Sequence, residues 1–342
     1  MTETAVDAVV DADPVLATRV RHALGLPPAD RLAVLEGGRS GLTYEIGTGA
    51  DRCVVKAVPP GRRARGRNDV LHQAAILTAL AGSAVPVPGV RAVDAEPPAW
   101  FAMEFARGGA AEPILLVDAE TAPALARTRM LVAARVLGAL HAVPLDAVEH
   151  AVAASGRDVP PAAGAGAEVD RWAQTMQAVP EDLRPGGAAL VEELLTTVPG
   201  PVPAVVVHGD FRLGNLLFEG ADPVALVDWE IWGVGDPRVD LGWFGVFTDG
   251  RLFPGSGRVV EGLPTERELG EAYREARGED GGTTADAAWF SALGRMKMAA
   301  IMGHNLLRHR TGAHHDPVQE QLPPAIAALI ADGRRLLAEG LR

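Results

Sequence analysis

The sequence predicts an α+β protein of two lobes, one with an antiparallel sheet and a helix, the other mostly helical. In the first hundred residues, short apolar and β-branched segments alternate with turns that contain glycine or proline, a pattern typical of strands. Later segments instead carry apolar residues at helical spacing. We therefore expect residues 1–106 to form the first lobe and residues 107–342 the second.

The first lobe should begin with a helix over Pro14–Leu24, where apolar residues recur at helical spacing. Residues 36–46 (EGGRSGLTYEI) predict two strands around a glycine turn. A hairpin turn is the commoner meaning of such a turn, although glycines also let backbone N–H groups approach a phosphate. A helix is expected over residues 68–80, with Gln73 on its apolar face. Residues 100–105 form a further predicted strand.

The lysine content singles out one position. The chain has only two lysines, Lys56 and Lys297, and otherwise uses arginine. Lys56 shares one face of a predicted strand with Val54 and Val58. A lysine there either extends from an edge strand or serves a site. Because the chain departs from arginine at this position, a compact positive charge at a site is favoured.

The most informative pattern lies in residues 204–230. An apolar run leads into HGDFRLGNLLF, a short turn follows, and a second apolar run ends at Asp228. Two strands joined by so short a turn are antiparallel, so Asn215 and Asp228 should be neighbours, with Asp210 in the loop just before. Any one of these residues alone would be interpreted as a turn cap. Together they form an oxygen-only set that suits Mg²⁺ better than zinc and could aim a hydroxyl at a nucleotide phosphate.

Composition narrows the class of protein. The 342 residues are 48% hydrophobic and 22% charged, which is ordinary for a globular protein large enough for two cores. Residues 1–13 lack the basic segment of a signal peptide, and no apolar run approaches membrane length. The single cysteine, Cys53, excludes an internal disulfide and suits a cytoplasmic location. A formal charge of −12 argues against a nucleic-acid partner.

The motif around residues 208–230 resembles the aminoglycoside phosphotransferase-like family of the protein-kinase-like superfamily. HGDFRLGNLLF followed by VDWEIWGVGDPRVDLGW is most similar to the branch that also occurs joined to acyl-CoA dehydrogenases. The resemblance implies a two-lobed protein-kinase-like fold. It implies Asp210 as the catalytic base, with His208 and Arg212 in the same catalytic loop, and Asn215 and Asp228 as Mg²⁺ ligands.

Two further carboxylates follow in the same motif. Asp236 and Asp240, in the sequence GDPRVDL, resemble structural carboxylates that lie behind the family's site. His141 also resembles a family position, but a packed, hydrogen-bonded histidine is the interpretation we favour there.

In the first lobe, the resemblance implies a nucleotide site. EGGRSGLTY is similar to the family's phosphate loop, which assigns Gly38 and Ser40 to it, with Gly41 where asparagine is usual. Lys56 matches the lysine that holds the α- and β-phosphates. The family has a glutamate where this chain has Gln73, so Lys56 would gain a hydrogen-bond partner without a charge.

The strand at residues 100–105 resembles the family's hinge. The resemblance assigns Met103, Glu104 and Phe105 to nucleotide binding. The backbone of Glu104 and Phe105 would bond the adenine edge.

The second lobe is expected to be helical, with loops over residues 155–167 and 252–258. The predicted helices cover residues 124–142, 169–179, 187–197, 266–277 and 285–307. Residues 296–316 resemble the family's C-terminal helix and the turn after it. The histidines of that segment lack the fixed spacing of a zinc site.

The acceptor side is less specified by the sequence. Trp229, Glu230 and Trp232 follow the second predicted strand and could line an acceptor pocket, together with Trp243. These tryptophans could equally be core aromatics, which is the commoner role.

The predicted activity is transfer of the γ-phosphoryl group of ATP, with GTP not excluded, to a hydroxyl of a small molecule in the presence of Mg²⁺. Three acceptor classes stay open: a sugar hydroxyl of an antibiotic, which would make this a resistance enzyme; a hydroxyacyl or other lipid intermediate; and a small amino alcohol or sugar. A degenerate kinase-like protein that binds without transfer is the alternative, because of Gln73. We expect neither a nucleic-acid nor a membrane partner, and a monomer or a homodimer.

Overall fold

An antiparallel sheet occupies the first hundred residues of the computed structural model, which describes residues 13–35, 42–59, 61–115, 121–279 and 286–340. Lys56 pairs with Thr43 on one side and with Phe101 on the other. Its strand is therefore central, which removes the edge-strand explanation for this lysine. The strands are β1 (Ala33–Val34), β2 (Leu42–Ile46), β3 (Cys53–Ala57), β4 (Val90–Asp94) and β5 (Trp100–Glu104), in the spatial order β1-β2-β3-β5-β4.

Helix α1 (Pro14–Leu24) covers the outer face of this sheet. It begins there because the Asp13 carboxylate accepts the Val15 N–H at 2.7 Å and a proline opens the first turn. It ends at Gly25, which has a left-handed φ of 65°. Its apolar side joins a core made with the sheet, to which the helix contributes Leu16, Ala17 and Val20.

Helix α2 (Val70–Leu80) packs on the other face of the sheet and carries Gln73 on its buried side. The core beneath α2 continues through Phe101 and Met103 into Phe211 and Leu226, beyond residue 200. The first sheet and the segment around residues 206–229 therefore share one hydrophobic core, which holds Lys56 and residues 208–228 in a defined relation.

The rest of the described chain is mainly helical. Helix α9 is central to this part, because it packs against α5, α6, α7 and α10. Its contact with α7 is close: a Cβ at Gly242 would lie 2.3 Å from the Phe290 carbonyl oxygen. The helices are α3 (Pro123–His141), α4 (Leu145–Ala154), α5 (Ala165–Gln177), α6 (Gly187–Thr196), α7 (Arg238–Gly245), α8 (Glu266–Arg277), α9 (Ala287–Arg310) and α10 (Pro323–Glu339).

Two small antiparallel sheets interrupt the helices. The strands are β6 (Val205–Val207), β7 (Leu216–Glu219), β8 (Asp222–Leu226) and β9 (Gly233–Gly235). Strands β7 and β8 form a hairpin in which Leu216 faces Leu226, and β6 pairs with β9. The hairpin expected from the sequence is present, and it brings the two ends of the motif together.

The predicted α+β, two-lobed, kinase-like fold is confirmed, while some helix limits differ from expectation. Helix α5 begins at Ala165, inside the expected loop, because burial of that residue outweighs the weak helix propensity of its glycine-rich surroundings. The sequence analysis missed α4 and α10, although Pro323 and Pro324 mark the start of α10. Among the described residues, no single helix is long and apolar enough to span a bilayer; only α3 and α4 together, bent by 74°, meet that test.

Candidate active site

The β7–β8 hairpin and the β6–β9 pair place residues 208–215 and 227–232 side by side. The Val227 N–H donates to the Asn215 carbonyl oxygen at 2.9 Å. His208 Nε2 donates to the Val227 carbonyl oxygen at 3.0 Å. The two halves of the motif are therefore joined by hydrogen bonds.

Asp210 is held by both carboxylate oxygens and stays accessible. Its Oδ1 accepts from Trp243 Nε1 at 3.0 Å, and its Oδ2 accepts from Asn215 Nδ2 at 3.0 Å. Its side chain keeps 27% exposure. Because each carboxylate oxygen has a second lone pair, Asp210 can still accept a hydrogen bond from a ligand hydroxyl.

Asp240, at the start of α7, fixes the backbone of His208 and Gly209 through hydrogen bonds. Its carboxylate accepts the N–H of His208 at 2.7 Å and the N–H of Gly209 at 2.9 Å, and it contacts His141 Nε2 at 3.3 Å. Although burial opposes its charge, these hydrogen bonds hold the pKa of Asp240 below its ordinary range. Asp236 instead pairs with Arg238 at 2.7 Å.

His208 is fixed as a neutral ring. Burial lowers the pKa of His208 below its ordinary value, in spite of the nearby carboxylates Asp240 and Asp210. Its Nδ1 accepts the Asp210 N–H at 3.2 Å, while Nε2 donates to Val227. His208 therefore connects the two segments of the motif and is itself fully buried.

The position between His208 and Asp210 requires glycine. Gly209 has a φ of 82°, and a Cβ there would lie 2.6 Å from the Ile231 carbonyl oxygen. Any side chain would therefore push the loop away from residues 227–232.

Lys56 links the sheet to the second half of the motif. Its Nζ lies 3.0 Å from Asp228 Oδ1 and donates to Gln73 Oε1 at 3.3 Å. Although partial burial opposes its charge, the Lys56 ammonium holds the pKa of Asp228 below its ordinary range. Asp228 has a φ of 66°, rare for a residue with a side chain, and strained backbone of this kind is concentrated at functional sites.

The chemistry of Asn215 and Asp228 fits Mg²⁺. Both side-chain hydrogen bonds of Asn215 leave from its Nδ2, which reserves the amide oxygen for another partner. The Asp228 side chain is 35% exposed. In the described part of the chain, no three His, Cys, Asp or Glu side chains converge on one point. A magnesium ion would therefore take its remaining oxygens from phosphate and water, as it usually does.

Arg212 lies in the loop of residues 208–215 and contacts a buried carboxylate. Its Nη1 contacts Glu112 Oε2 at 3.5 Å, and its Nε lies 3.7 Å from Asp210 Oδ2. Glu112 also accepts the Gly214 N–H at 3.1 Å. Burial raises the pKa of Glu112 to about 7, in spite of Arg212.

The expected hinge lies at the end of β5. The two backbone N–H groups expected to bind adenine already donate hydrogen bonds within the protein. That of Glu104 donates to the Gly89 carbonyl oxygen at 2.8 Å, and that of Phe105 donates to the Arg52 carbonyl oxygen at 3.2 Å. The Phe105 ring is covered by the Arg52 guanidinium, 3.5 Å from the ring centroid, and Met103 is buried. A nucleotide base here would have to meet backbone carbonyls or the N–H groups after Phe105.

The remaining predicted residues either offer no open surface at this cluster or fall outside the described residues; the Trp229 ring packs against that of His208, with 4.7 Å between the ring centroids. Trp229 and Trp232 are core side chains, 1% and 4% exposed, and donate to the carbonyls of Leu226 and His72. Neither ring therefore offers a surface to an acceptor, while Glu230 is half-buried. Gly38 and Ser40 fall in residues 36–41, outside the described part.

Sequence reasoning missed three side chains that hold the catalytic loop. Glu112 belongs to no recognised motif, and Trp243 was interpreted as a core aromatic or as part of a pocket wall. Lys297 donates to the Gly209 carbonyl oxygen from α9. Its rarity was a usable signal, because both lysines of the chain contact this site.

Curated proteins share sequence similarity with this chain. Human acyl-CoA dehydrogenase family member 11 is 25% identical over 288 residues, which cover 79% of this chain and 35% of that protein. The chain thus spans about a third of the length of this curated relative.

Solved structures share the fold. A provisionally named aminoglycoside phosphotransferase from Ralstonia eutropha matches with a TM-score of 0.73 and 22% identity, over 95% of this chain and 99% of that one. A mutant of aminoglycoside phosphotransferase APH(4)-Ia, solved with ADP and hygromycin B, matches with a TM-score of 0.57 and 14% identity, over 93% and 98%. The model of the phosphotransferase enzyme family matches residues 31–293, most of the chain. The protein therefore belongs to the phosphotransferase enzyme family.

Proposed function

We propose that this protein is an ATP- and Mg²⁺-dependent phosphotransferase that phosphorylates a hydroxyl of a small molecule. The observation that carries the proposal is the 3.0 Å contact between Lys56 Nζ and Asp228 Oδ1, which joins the sheet to the motif that contains Asp210 and Asn215. This set contains the groups that phosphoryl transfer requires: a cation for the phosphates, oxygen ligands for the metal and a carboxylate for the hydroxyl.

In the proposed reaction, the acceptor oxygen forms a bond to the γ-phosphorus. The bond from that phosphorus to the oxygen that bridges to the β-phosphate breaks. The hydroxyl proton passes to Asp210, so the products are ADP and a phosphate ester. Asp210 orients the hydroxyl through its open lone pairs, and positioning of this kind supplies much of the rate in such reactions.

The other residues have distinct roles in the proposal. Lys56 binds phosphate oxygens once it exchanges its contact with Asp228 for the nucleotide. Asn215 and Asp228 would hold the magnesium ion, which supplies positive charge to the phosphate oxygens when it is bound. Arg212, 30% exposed beside Asp210, is placed to offset the negative charge that surrounds the acceptor. ADP in the related APH(4)-Ia structure supports adenine nucleotide binding.

Different observations support the acceptor classes. The fold shared with an antibiotic-bound enzyme favours a sugar hydroxyl. The relationship to an acyl-CoA dehydrogenase family member favours a hydroxyacyl compound. A small amino alcohol or sugar stays the third class.

The test is a panel of hydroxyl compounds from all three classes, incubated with ATP and MgCl₂ and analysed by mass spectrometry for the gain of one phosphoryl group. Asp210→Asn should slow turnover by about 10²–10⁴-fold, the range for loss of a general base, and Asp228→Asn should abolish it. Asp222→Asn, on the exposed turn of the same hairpin, is the matched control. Full turnover in Asp228→Asn would refute the assignment.

A second candidate function is nucleotide or ligand binding without transfer. The observation that favours it is Gln73, whose neutral amide stands 3.3 Å from Lys56. Binding of Mg·ATP, measured by thermal shift, without phosphorylation of any compound in the panel would favour this candidate.

A further inference from the structure

Lys297 lies directly behind the catalytic loop, in an unusual environment for a cation. It is on α9, 4% exposed, and its Nζ donates to the Gly209 carbonyl oxygen. The same Nζ lies 3.9 Å from the ring centroid of Trp243 and 5.1 Å from that of Trp172. Among the described residues, a carbonyl and two indole faces meet this charge, and no carboxylate forms an ion pair with it.

Such burial is costly. Removing an ammonium group from water without an ion pair is strongly unfavourable. Burial accordingly lowers the pKa of Lys297 to about 8, although the nearby carboxylates Asp210, Asp240 and Glu168 oppose this change; Arg171 lowers it further. A methionine would fill similar space without that cost. The charge is therefore better explained by an effect on the loop than by packing.

We propose that Lys297 is a positioning residue for Asp210: it orients the Gly209–Asp210 peptide and the Trp243 ring, which together set the direction of the Asp210 carboxylate. The inference rests on the proposed role of Asp210 as the catalytic base.

The first connection runs through the backbone. The Gly209 carbonyl accepts from Lys297, and the Asp210 N–H donates to His208 Nδ1 at 3.2 Å. These two groups belong to one peptide unit, which is planar. Holding both ends fixes the plane from which the Asp210 side chain extends.

The second connection runs through Trp243. Its ring face is within cation–π distance of Lys297 Nζ, and its Nε1 donates to Asp210 Oδ1 at 3.0 Å. A ring held on its face by the ammonium presents its N–H in a constant direction. Both connections end on Asp210, one at its backbone and one at a carboxylate oxygen.

The residue type supports this role. A lysine offers a compact charge that fits between two rings and points single N–H groups at one carbonyl, whereas the guanidinium of arginine is a wide planar fork. This chain uses arginine at every basic position except Lys56 and Lys297.

The test compares Lys297→Met and Lys297→Arg with the full-length wild type, and with Met302→Leu as a control for a buried change on α9. The readouts are phosphate release from Mg·ATP with water as acceptor, and the Kd for Mg·ATP. Lys297→Met should lower the rate by about 100-fold, as expected for a displaced catalytic group, with the Kd changed less than about twofold because Lys56 and Asp228 remain intact. Lys297→Arg should recover part of the rate.

Two further measurements separate positioning from a structural role. The wild-type rate should fall as the pH rises above about 8 and Lys297 loses its charge, while Lys297→Arg should not show this fall. Trp243→Phe and Lys297→Met should be less than additive in a double-mutant cycle, because both act on Asp210. If Lys297→Met folds poorly, the pH comparison with Lys297→Arg still decides.

Wild-type turnover that is lost in Asp210→Asn but unchanged in Lys297→Met would overturn this inference alone. Fully additive effects of Trp243→Phe and Lys297→Met in the double-mutant cycle would also overturn it. A fall in rate at high pH that the wild type and Lys297→Arg share would do the same. If the wild type shows no turnover above Asp210→Asn either with water or with any compound of the acceptor panel, the proposed function is overturned and this inference with it.

Discussion

Replacing Asp240 by asparagine should destabilise the protein and slow turnover, although Asp240 contacts neither nucleotide nor acceptor in the proposed site. The wild-type carboxylate is fully buried and accepts two backbone N–H groups of the catalytic loop, at 2.7 Å from His208 and 2.9 Å from Gly209. An asparagine has one oxygen in place of two, so one of these N–H groups must face an NH₂ group.

The magnitude follows from those contacts. A buried N–H without an acceptor costs about 1–3 kcal/mol, and the remaining hydrogen bond loses about 1 kcal/mol when its acceptor becomes neutral. We therefore expect the free energy of unfolding to fall by about 2–4 kcal/mol, a large part of the usual stability of a protein.

The assay is urea unfolding followed by circular dichroism near pH 7.5, with phosphate release from Mg·ATP measured on the folded variant. Asp222→Asn, an exposed aspartate, should change stability by less than about 0.5 kcal/mol. If Asp240→Asn matches that control in stability and turnover, the bracing role argued for Asp240 is wrong.

Two other predictions concern the neighbours of Arg212 and Lys56. Burial raises the pKa of Glu112 from 4.5 to about 7, so its contribution to stability is present below pH 4.5 and lost as the pH rises through 7. Glu112→Gln should therefore raise the free energy of unfolding by up to ~3 kcal/mol at pH 8, with a much smaller gain at pH 5; urea unfolding with equal gains at both pH values would contradict this. Gln73→Glu should give Lys56, now 3.3 Å from the amide, a charged partner and raise kcat/KM for Mg·ATP about fivefold, equivalent to ~1 kcal/mol. Steady-state kinetics without an increase would mean that the neutral amide does not limit phosphate binding.

The sequence predicted correctly those helices and hairpins whose determinants lie within the element or next to it in the chain. The hairpin between Asn215 and Asp228 follows from two apolar runs and a short turn, and it brings these residues together as expected. Helix α8 was predicted with the observed limits, and the structure shows that its ends depend on local signals, a capping box at Thr265 and Glu268 and the terminal Gly278. Helix α5 was placed too late because burial of Ala165, a tertiary effect, determines its start.

The predicted hinge illustrates a different limit of the sequence. The sequence identified β5 as a strand, but which N–H groups stay open depends on strand pairing. Glu104 and Phe105 direct their N–H groups to Gly89 and Arg52, and such pairing is not encoded within residues 100–105.

The sequence by itself identified the family and the α+β class, and it predicted Lys56, Asp210, Asn215 and Asp228 as site residues, because these inferences depend on residue types and on short motifs. Only the tertiary structure decided what holds them. Glu112, Trp243 and Lys297 reach the catalytic loop from segments 33 to 102 residues away. Contacts over such separations arise from the packing of α7, α9 and the segment that contains Glu112 around the loop, and no local pattern specifies them.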